Sequence, residues 1–427
     1  MHIQRLQIRN VRSLREFEMR FKPNECAGWH VILGDNGSGK SSVVRALAVV
    51  LMGAINAHAS RQDWASWLRA GEDAASIDIS VAHHDGDTWT GKGNTARRPF
   101  PAHAEIARDA DNGNGGTSAT LDYSKGGHAA RTLWGGGFGW FSASFGPYRR
   151  FSGGDQQMNA LYYSHPRLAP HLSALGEQVA TGEALAWLRE LHVKALEGDQ
   201  RAKRTQDSVV HFVNSSQLLP HNAEVAEVSS AQVTMVDGDG VHVSIEEMSD
   251  GYRSILSLTL ELLRLMANLC RGGLRVQRDG KVMLPGVVVI DEVDSHLHPA
   301  WQKRIGEWFV DRFPKTQFIV TTHSPIICRA AARGSIWALP SPGSGGAIHR
   351  VSGTDYDRLV DGSILDAYST ELFGHDVLRS ARSKEKLAEL ARLNRKRLRT
   401  ALTKEENSQL AQLRATLGSN PNHTASG

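Results

Sequence analysis

The segment GDNGSGKSS, Gly34 to Ser42, has the spacing glycine, four residues, glycine, lysine, serine. Glycines at such positions let the backbone curl until successive N–H groups face one centre, and a helix starting there adds the positive end of its dipole. That cradle suits the phosphates of a nucleoside triphosphate such as ATP. Gly34, Asn36, Gly37, Ser38 and Gly39 form the curl, Lys40 is expected to bridge the terminal phosphates, and Ser41, followed by Ser42, is expected to hold Mg²⁺ through its hydroxyl. In VVVIDEVDSHLHP, four apolar residues end in Asp291 and Glu292, two carboxylates delivered at the end of a buried strand. Asp291 would organise the magnesium shell and Glu292 would polarise the attacking water as general base. FIVTTHSP then supplies His323, placed to contact the γ-phosphate and sense its loss. The chemistry these segments support is Mg²⁺-dependent ATP hydrolysis, with Lys40, Glu292 and His323 as the catalytic set.

These groups need strand ends and a helix to carry them. IQRLQIRNVRSLREFEMRF alternates apolar and polar residues over two runs joined near Asn10 to Ser13, the pattern of a hairpin. WHVIL is continuously apolar, as a strand covered on both faces would be, and Ser41 to Met52 turns to helical spacing. A further strand pair is expected within Ala75 to Thr90, turning at Asp85 and Gly86. Between Gly91 and Gly139 there are 11 glycines and few apolar residues before Leu133, which predicts a surface insertion with too little apolar area to offset its ordering entropy. Helical spacing over Leu175 to Leu219 predicts a short helical arm, and Gln232 to Ile245 a hairpin around Asp237 to Gly240. Helices follow at Ser254 to Cys270 and Ala300 to Phe313, and buried strands at Gly286 to Ile290 and Gln317 to Val320. The tail from Ser383 is polar and helical, and Thr403 with Glu406 makes a capping box. The expected domains are 1–90 (first ATPase lobe), 91–139 (glycine-rich insertion), 140–245 (arm and hairpin), 246–355 (second lobe) and 356–427 (basic helical C-terminal region).

Over 427 residues the composition is ordinary for a globular protein, 41% hydrophobic and 22% charged. No run is long and apolar enough for a membrane helix, and the N-terminus reads as a strand, so a cytoplasmic protein without a membrane partner is expected. Three scattered cysteines, Cys26, Cys270 and Cys328, support neither a disulfide framework nor a cysteine zinc site. The formal charge of +4 is uneven: Arg379 to Arg414 holds 11 Lys or Arg against 4 Glu. That region could contact DNA or RNA phosphates, or be a solvated amphipathic helix that docks on protein. Asp355 and Asp357 form a DxD spelling and are taken as a polar turn. His296 and His298 lack a third ligand nearby and are taken as a turn after the strand.

Together with EMSDGYRS, Glu247 to Ser254, these motifs resemble the ATP-binding-cassette head of the SMC, RecF and OLD type. The resemblance implies a P-loop α/β fold of two lobes, with an N-terminal antiparallel hairpin, a short helical arm and a C-terminal helical tail. It also implies that Ser249 and Gly251 of one subunit seal the nucleotide held by another, that Asp294 speaks across the dimer, and therefore self-association. FSGGDQQ, Phe151 to Gln157, competes for the same signature role, and Arg149 or Arg150 of FGPYRR is a candidate to approach phosphate or DNA. Gln62 is the candidate for the glutamine linking the lobes. EVDSHLHPAWQ, THSP and SILDAYSTELFG resemble the ATPases of anti-phage systems of the Septu and retron-associated kind. From this follows the expectation of an ATPase that oligomerises around nucleotide and regulates a separate nuclease effector encoded nearby. The alternatives are a RecF-like DNA-repair ATPase without a toxic effector and, from another class, the ATPase subunit of a transporter.

Overall fold

The structure, a computed structural model, describes all residues except 86, 88–97, 110–117, 124–126, 136–139, 148–164, 166, 177–182, 217–218, 220–222, 270–273, 374–380 and 418–427. Chain contacts divide it into two units, Met1–Asp361 and Gly362 onward.

In the first unit the alternating opening forms strands β1 (His2–Val11) and β2 (Leu14–Arg20), an antiparallel hairpin in which Leu6 faces Met19 and Ile8 faces Phe17. Strand β3 (Gly28–Leu33) is buried along its whole length and leads through the glycine turn into α1 (Lys40–Met52). Then come β4 (Ala74–Ala82), β5 (Phe100–Arg108), β6 (Ala119–Asp122) and β7 (Phe141–Phe145). The arm is α2 (Glu183–Leu196) and α3 (Gln200–Ser215), the latter capped by Asp199, whose Oδ1 accepts from the N–H groups of Arg201 and Ala202. Strands β8 (Glu224–Val228), β9 (Val233–Val236) and β10 (His242–Ser244) precede α4 (Asp250–Leu269). Strand β11 (Gly286–Ile290), α5 (Pro299–Arg312), β12 (Thr316–Thr322), β13 (Gly334–Ala338), β14 (His349–Arg350) and α6 (Gly353–Val360) complete the unit.

The strands make three sheets. The largest has the order β14-β13-β3-β12-β11-β7, parallel except for β14. Its α5 side is closed by Trp29, Phe309, Phe313 and Phe318, with the Trp29 and Phe309 rings stacked at 6.0 Å. Gly306 of α5 is required there, because a Cβ would lie 2.9 Å from the Trp29 ring and 2.5 Å from the Ala330 methyl. A five-stranded antiparallel sheet, β2-β1-β4-β5-β6, shares one apolar core with α1. The three-stranded sheet β10-β9-β8 contains the expected hairpin, whose turn is closed by Asp237 Oδ1 accepting from Asp239 and Val241.

The structure differs from the sequence expectation in three places. Strand β4 does not pair within Ala75 to Thr90; it pairs with β1 and with β5, the latter inside the glycine-rich stretch. The inward residues of β5 are Phe100, Ala102, Ala104 and Ile106, and the two alanines give burial with little hydrophobic signal. The same stretch supplies caps for α1: Tyr123 donates its hydroxyl to Val49 O at 2.7 Å and Trp134 its indole N–H to Val50 O at 2.8 Å. Asp355 and Asp357 lie in helix α6 rather than a turn.

In the second unit, helices α7 (Ala381–Arg399) and α8 (Lys404–Leu417) pair through Leu393, Leu410 and Leu413. Both bonds of the expected capping box are present, Glu406 N–H to Thr403 Oγ1 at 3.2 Å and Thr403 N–H to Glu406 Oε2 at 3.0 Å.

Candidate active site

Parallel register sets the site. Leu33 of β3 lies beside Thr322 of β12, and Val320 of β12 beside Ile290 of β11. Gly34, His323 and Asp291 therefore leave the carboxyl ends of three neighbouring strands, where an α/β sheet opens its ligand crevice.

Within the phosphate loop, Gly37 (φ 78°) and Gly39 (φ 102°) are left-handed, a conformation open to glycine at little cost. A Cβ on Gly39 would lie 2.6 Å from Leu14 Cδ2 and 2.8 Å from Ser13 Oγ, so the tip of the N-terminal hairpin presses on the loop. Lys40 is 5% exposed and donates to Gly34 O and Asp35 O, each at 2.8 Å. Burial lowers its pKa; Asp291, Glu292, Asp35 and Asp294 oppose that shift by their charge. Those carboxylates thus share one electrostatic neighbourhood with the ammonium. Asp35 is held in turn by the hydroxyl of Ser341, which donates to Oδ2 at 2.6 Å. Asn36 and Gly37 are exposed and Ser41 is half-buried, as a surface awaiting a ligand requires, while Ser42 is buried.

Behind the loop, Asp291 is 4% exposed and accepts from Thr321 Oγ1 at 2.5 Å. The same Oγ1 accepts the Glu292 N–H at 2.8 Å. Glu292 has φ 45°, a sparsely populated conformation for its residue type, and its Oε2 accepts from Ser295 Oγ at 3.0 Å. Asp294 Oδ1 accepts from Thr322 Oγ1 at 2.5 Å. Two adjacent threonines of β12 therefore fix the carboxylate turn that follows β11. Sequence reasoning passed over Thr321 and Thr322, although two hydroxyls ending an otherwise apolar strand were a usable signal. It also passed over Ser341, which lies 306 residues from Asp35.

The remaining predicted residues lie elsewhere. Ser249 immediately precedes α4, and the atom met by a Cβ on Gly251 is His296 O, at 3.1 Å. His298 caps α5, its Nδ1 accepting from Ala300 N–H at 3.3 Å. Gln62 donates to Ser60 O at 3.4 Å. FSGGDQQ, Arg149 and Arg150 lie outside the described residues.

The loop fits a triphosphate on a local observation: Ser38 Oγ is buried with no hydrogen-bond partner among the described residues, beside a curl already shaped by left-handed glycines. A hydroxyl at Ser41 and a carboxylate at Asp291 are hard oxygen donors of the kind Mg²⁺ takes, with water filling its other positions.

A sequence profile described as "AAA domain" matches residues 5–117, which include the phosphate loop. A second, described as "AAA domain, putative AbiEii toxin, Type IV TA system", matches residues 154–329, which include Ser249, the carboxylate turn and His323. The chain is similar to Septu protein PtuA and to retron ATPases. Septu protein PtuA of Bacillus mycoides (strain KBAB4) is 24% identical over 366 residues, 79% of this chain and 40% of that protein. Retron Ec83 probable ATPase of Escherichia coli is 38% identical over 105 residues, 25% of this chain and 18% of that protein. The chain thus spans less than half the length of these relatives. Among solved structures, an SMC head bound to the C-terminal winged-helix domain of ScpA aligns over 82% of this chain and 98% of its own, with a TM-score of 0.47 and 17% identity.

Proposed function

We propose that the protein is a Mg²⁺-dependent ATPase of phage defence, which self-associates around ATP and thereby controls a separate nuclease. The observation that carries this reading is the register that brings the phosphate loop with Lys40 and the Asp291 to Asp294 turn to one end of the β3-β12-β11 sheet, the turn fixed by Thr321 and Thr322. Bound Mg²⁺ would supply charge neutralisation at the β- and γ-phosphates, with Ser41 and Asp291 as its protein ligands. Lys40, freed from the carbonyls of Gly34 and Asp35, would neutralise the terminal phosphates. Glu292 would take the proton of the attacking water, and His323, at the next strand end, would orient on the γ-phosphate. Gly251 lies near the His296 carbonyl of its own chain, and the reading gives Ser249 and Gly251 to the nucleotide of a second copy, where the start of α4 would offer its N–H groups. Asp294, in the same turn, would register that contact. The similarity to a Septu protein and to retron ATPases supports the defence role, and the separate nuclease is part of the same proposal.

Lys40→Ala and Glu292→Gln separate binding from hydrolysis. Lys40→Ala should lose ATP binding, whereas Glu292→Gln should bind normally, slow phosphate release at least about a hundredfold, and hold the self-associated form in light scattering. Phosphate release by Glu292→Gln at the parental rate sinks the base assignment. ATP-dependent association that survives Ser249→Arg sinks the shared-site arrangement.

A further inference from the structure

A cavity of about 350 Å³ lies at the opposite end of the sheet from the phosphate loop. Leu51, Leu133, Trp140, Phe141 and Leu265 line it, and Arg167 reaches it from the segment after β7. Its place follows from register. Phe141 sits opposite Gly286, the amino end of β11, while Asp291 follows the carboxyl end, some 13 Å away at about 3.3 Å per residue. Leu51 is likewise about 16 Å along α1 from Lys40 at 1.5 Å per residue. Leu265 stands near the last turn of α4, the helix that starts beside Ser249. Through Leu51 and Leu265, an occupant would touch the far ends of the two helices whose near ends carry Lys40 and Ser249.

The wall is mainly aromatic and aliphatic, its other guanidinium, Arg264, is already paired with Glu261 at 2.7 and 2.8 Å, and its volume lies within the range of small-molecule sites. Arg167 adds the specific chemistry. Its Nη1 donates to Leu133 O at 2.8 Å, and among the described residues no carboxylate pairs with it. Burial lowers its pKa, with no charged partner contributing. A partly buried guanidinium with no carboxylate partner among the described residues carries a desolvation cost that a bound anion would offset. We propose that this cavity binds a small molecule with an apolar, ring-containing body and one acidic group, the acid meeting Arg167 and the body packing against Trp140, Phe141 and Leu265.

The probe is 1-anilinonaphthalene-8-sulfonate, with the uncharged N-phenyl-1-naphthylamine as its partner, titrated into the full chain by fluorescence. The sulfonate should bind with one-site saturation. Arg167→Met should weaken it at least tenfold and leave the uncharged probe within twofold, since a charge-assisted contact exceeds the free energy of a tenfold change. Leu265→Trp, which fills the cavity, should remove both. Equal loss of both probes in Arg167→Met, or no loss of the sulfonate, overturns the site. Should Leu265→Trp fail to show a cooperative melt, the Arg167→Met comparison decides alone. A non-hydrolysable ATP analogue with Mg²⁺ should not displace the sulfonate, and Lys40→Ala should retain it; displacement overturns the separateness of the site. Because probe binding needs no hydrolysis, a chain that binds the sulfonate but releases no phosphate refutes the ATPase reading and leaves this site standing.

Discussion

Thr321 shows how a single hydroxyl can organise a catalytic turn. It donates to Asp291 and accepts from the Glu292 backbone, so Thr321→Val, nearly equal in shape, removes one hydrogen bond from a buried carboxylate and one from an N–H at once. We predict a stability loss of about 1 to 3 kcal/mol in urea unfolding. Turnover should fall at least tenfold with little change in ATP affinity, because Lys40 is untouched. A variant with parental turnover would show that Glu292 does not depend on this clamp. Two histidines set a separate expectation at this scale. His30 is buried between Ser335 Oγ and Cys26 O, and burial pushes it down to about 4; His171, buried against Ser144 and Ser142, is pushed down to about 3. The unfolded chain, with histidine near 6.5, takes up these protons first as pH falls. The stability that each neutral ring preserves is therefore whole above about 6.5 and declines toward 4 for His30, on the order of 3 kcal/mol, and toward 3 for His171, on the order of 5 kcal/mol. Unfolding free energies at pH 7.5 and 4.5 should differ less in His171→Gln than in the parent; an equal difference would mean that His171 is already charged when folded.

Helix α1 carries the phosphate loop at one end, and its other end is finished by side chains from a segment that looks structureless in sequence. Val49 O and Val50 O accept from Tyr123 and Trp134 of that segment, and Met52 O accepts from Asn56, just beyond the helix. Tyr123→Phe and Trp134→Phe each remove one such donor, and each should cost about 1 to 2 kcal/mol in thermal or urea unfolding. Their rings touch at 5.2 Å, so the double variant should be non-additive; strict additivity would deny that the two act as one cap. The same helix marks what was legible. Its start was plain because the phosphate loop is contiguous, and β3, β11 and β12 were plain because unbroken apolar runs of that length belong to covered strands. The pairing of β4 with β5 was not, since glycines around β5 dilute the window and Ala102 and Ala104 carry little signal. Site residues divide along the same line. Lys40, Asp291 and Glu292 announce themselves by local spacing, whereas Thr321 and Ser341 matter only because register and a long-range contact bring them beside Asp291 and Asp35.

At the scale of the whole chain, the small net charge of +4 conceals a basic C-terminal region whose cations differ in availability. Arg392 is engaged by Glu389 at 2.7 and 2.8 Å, and Lys396 by Glu406 at 2.5 Å. Arg395 and Arg397 on α7 are exposed and, among the described residues, pair with no carboxylate. If the region binds nucleic acid through phosphates, these two should carry it, because a cation already neutralised by a neighbouring glutamate releases fewer counterions on binding. Each phosphate contact contributes about 0.9 to the slope of log affinity against log salt for duplex DNA. Arg395→Ala with Arg397→Ala should therefore lower the slope by about 2 and weaken binding at low salt, uniformly over sequences. Arg392→Ala, which removes a paired cation, should change the slope by much less. The apolar contacts of Leu393, Leu410 and Leu413 lie away from these changes in side chain, so circular dichroism should report an unchanged helical hairpin in all three substitutions. An unaltered slope in the double variant would leave the hairpin as a protein-docking element, its charge serving solubility alone.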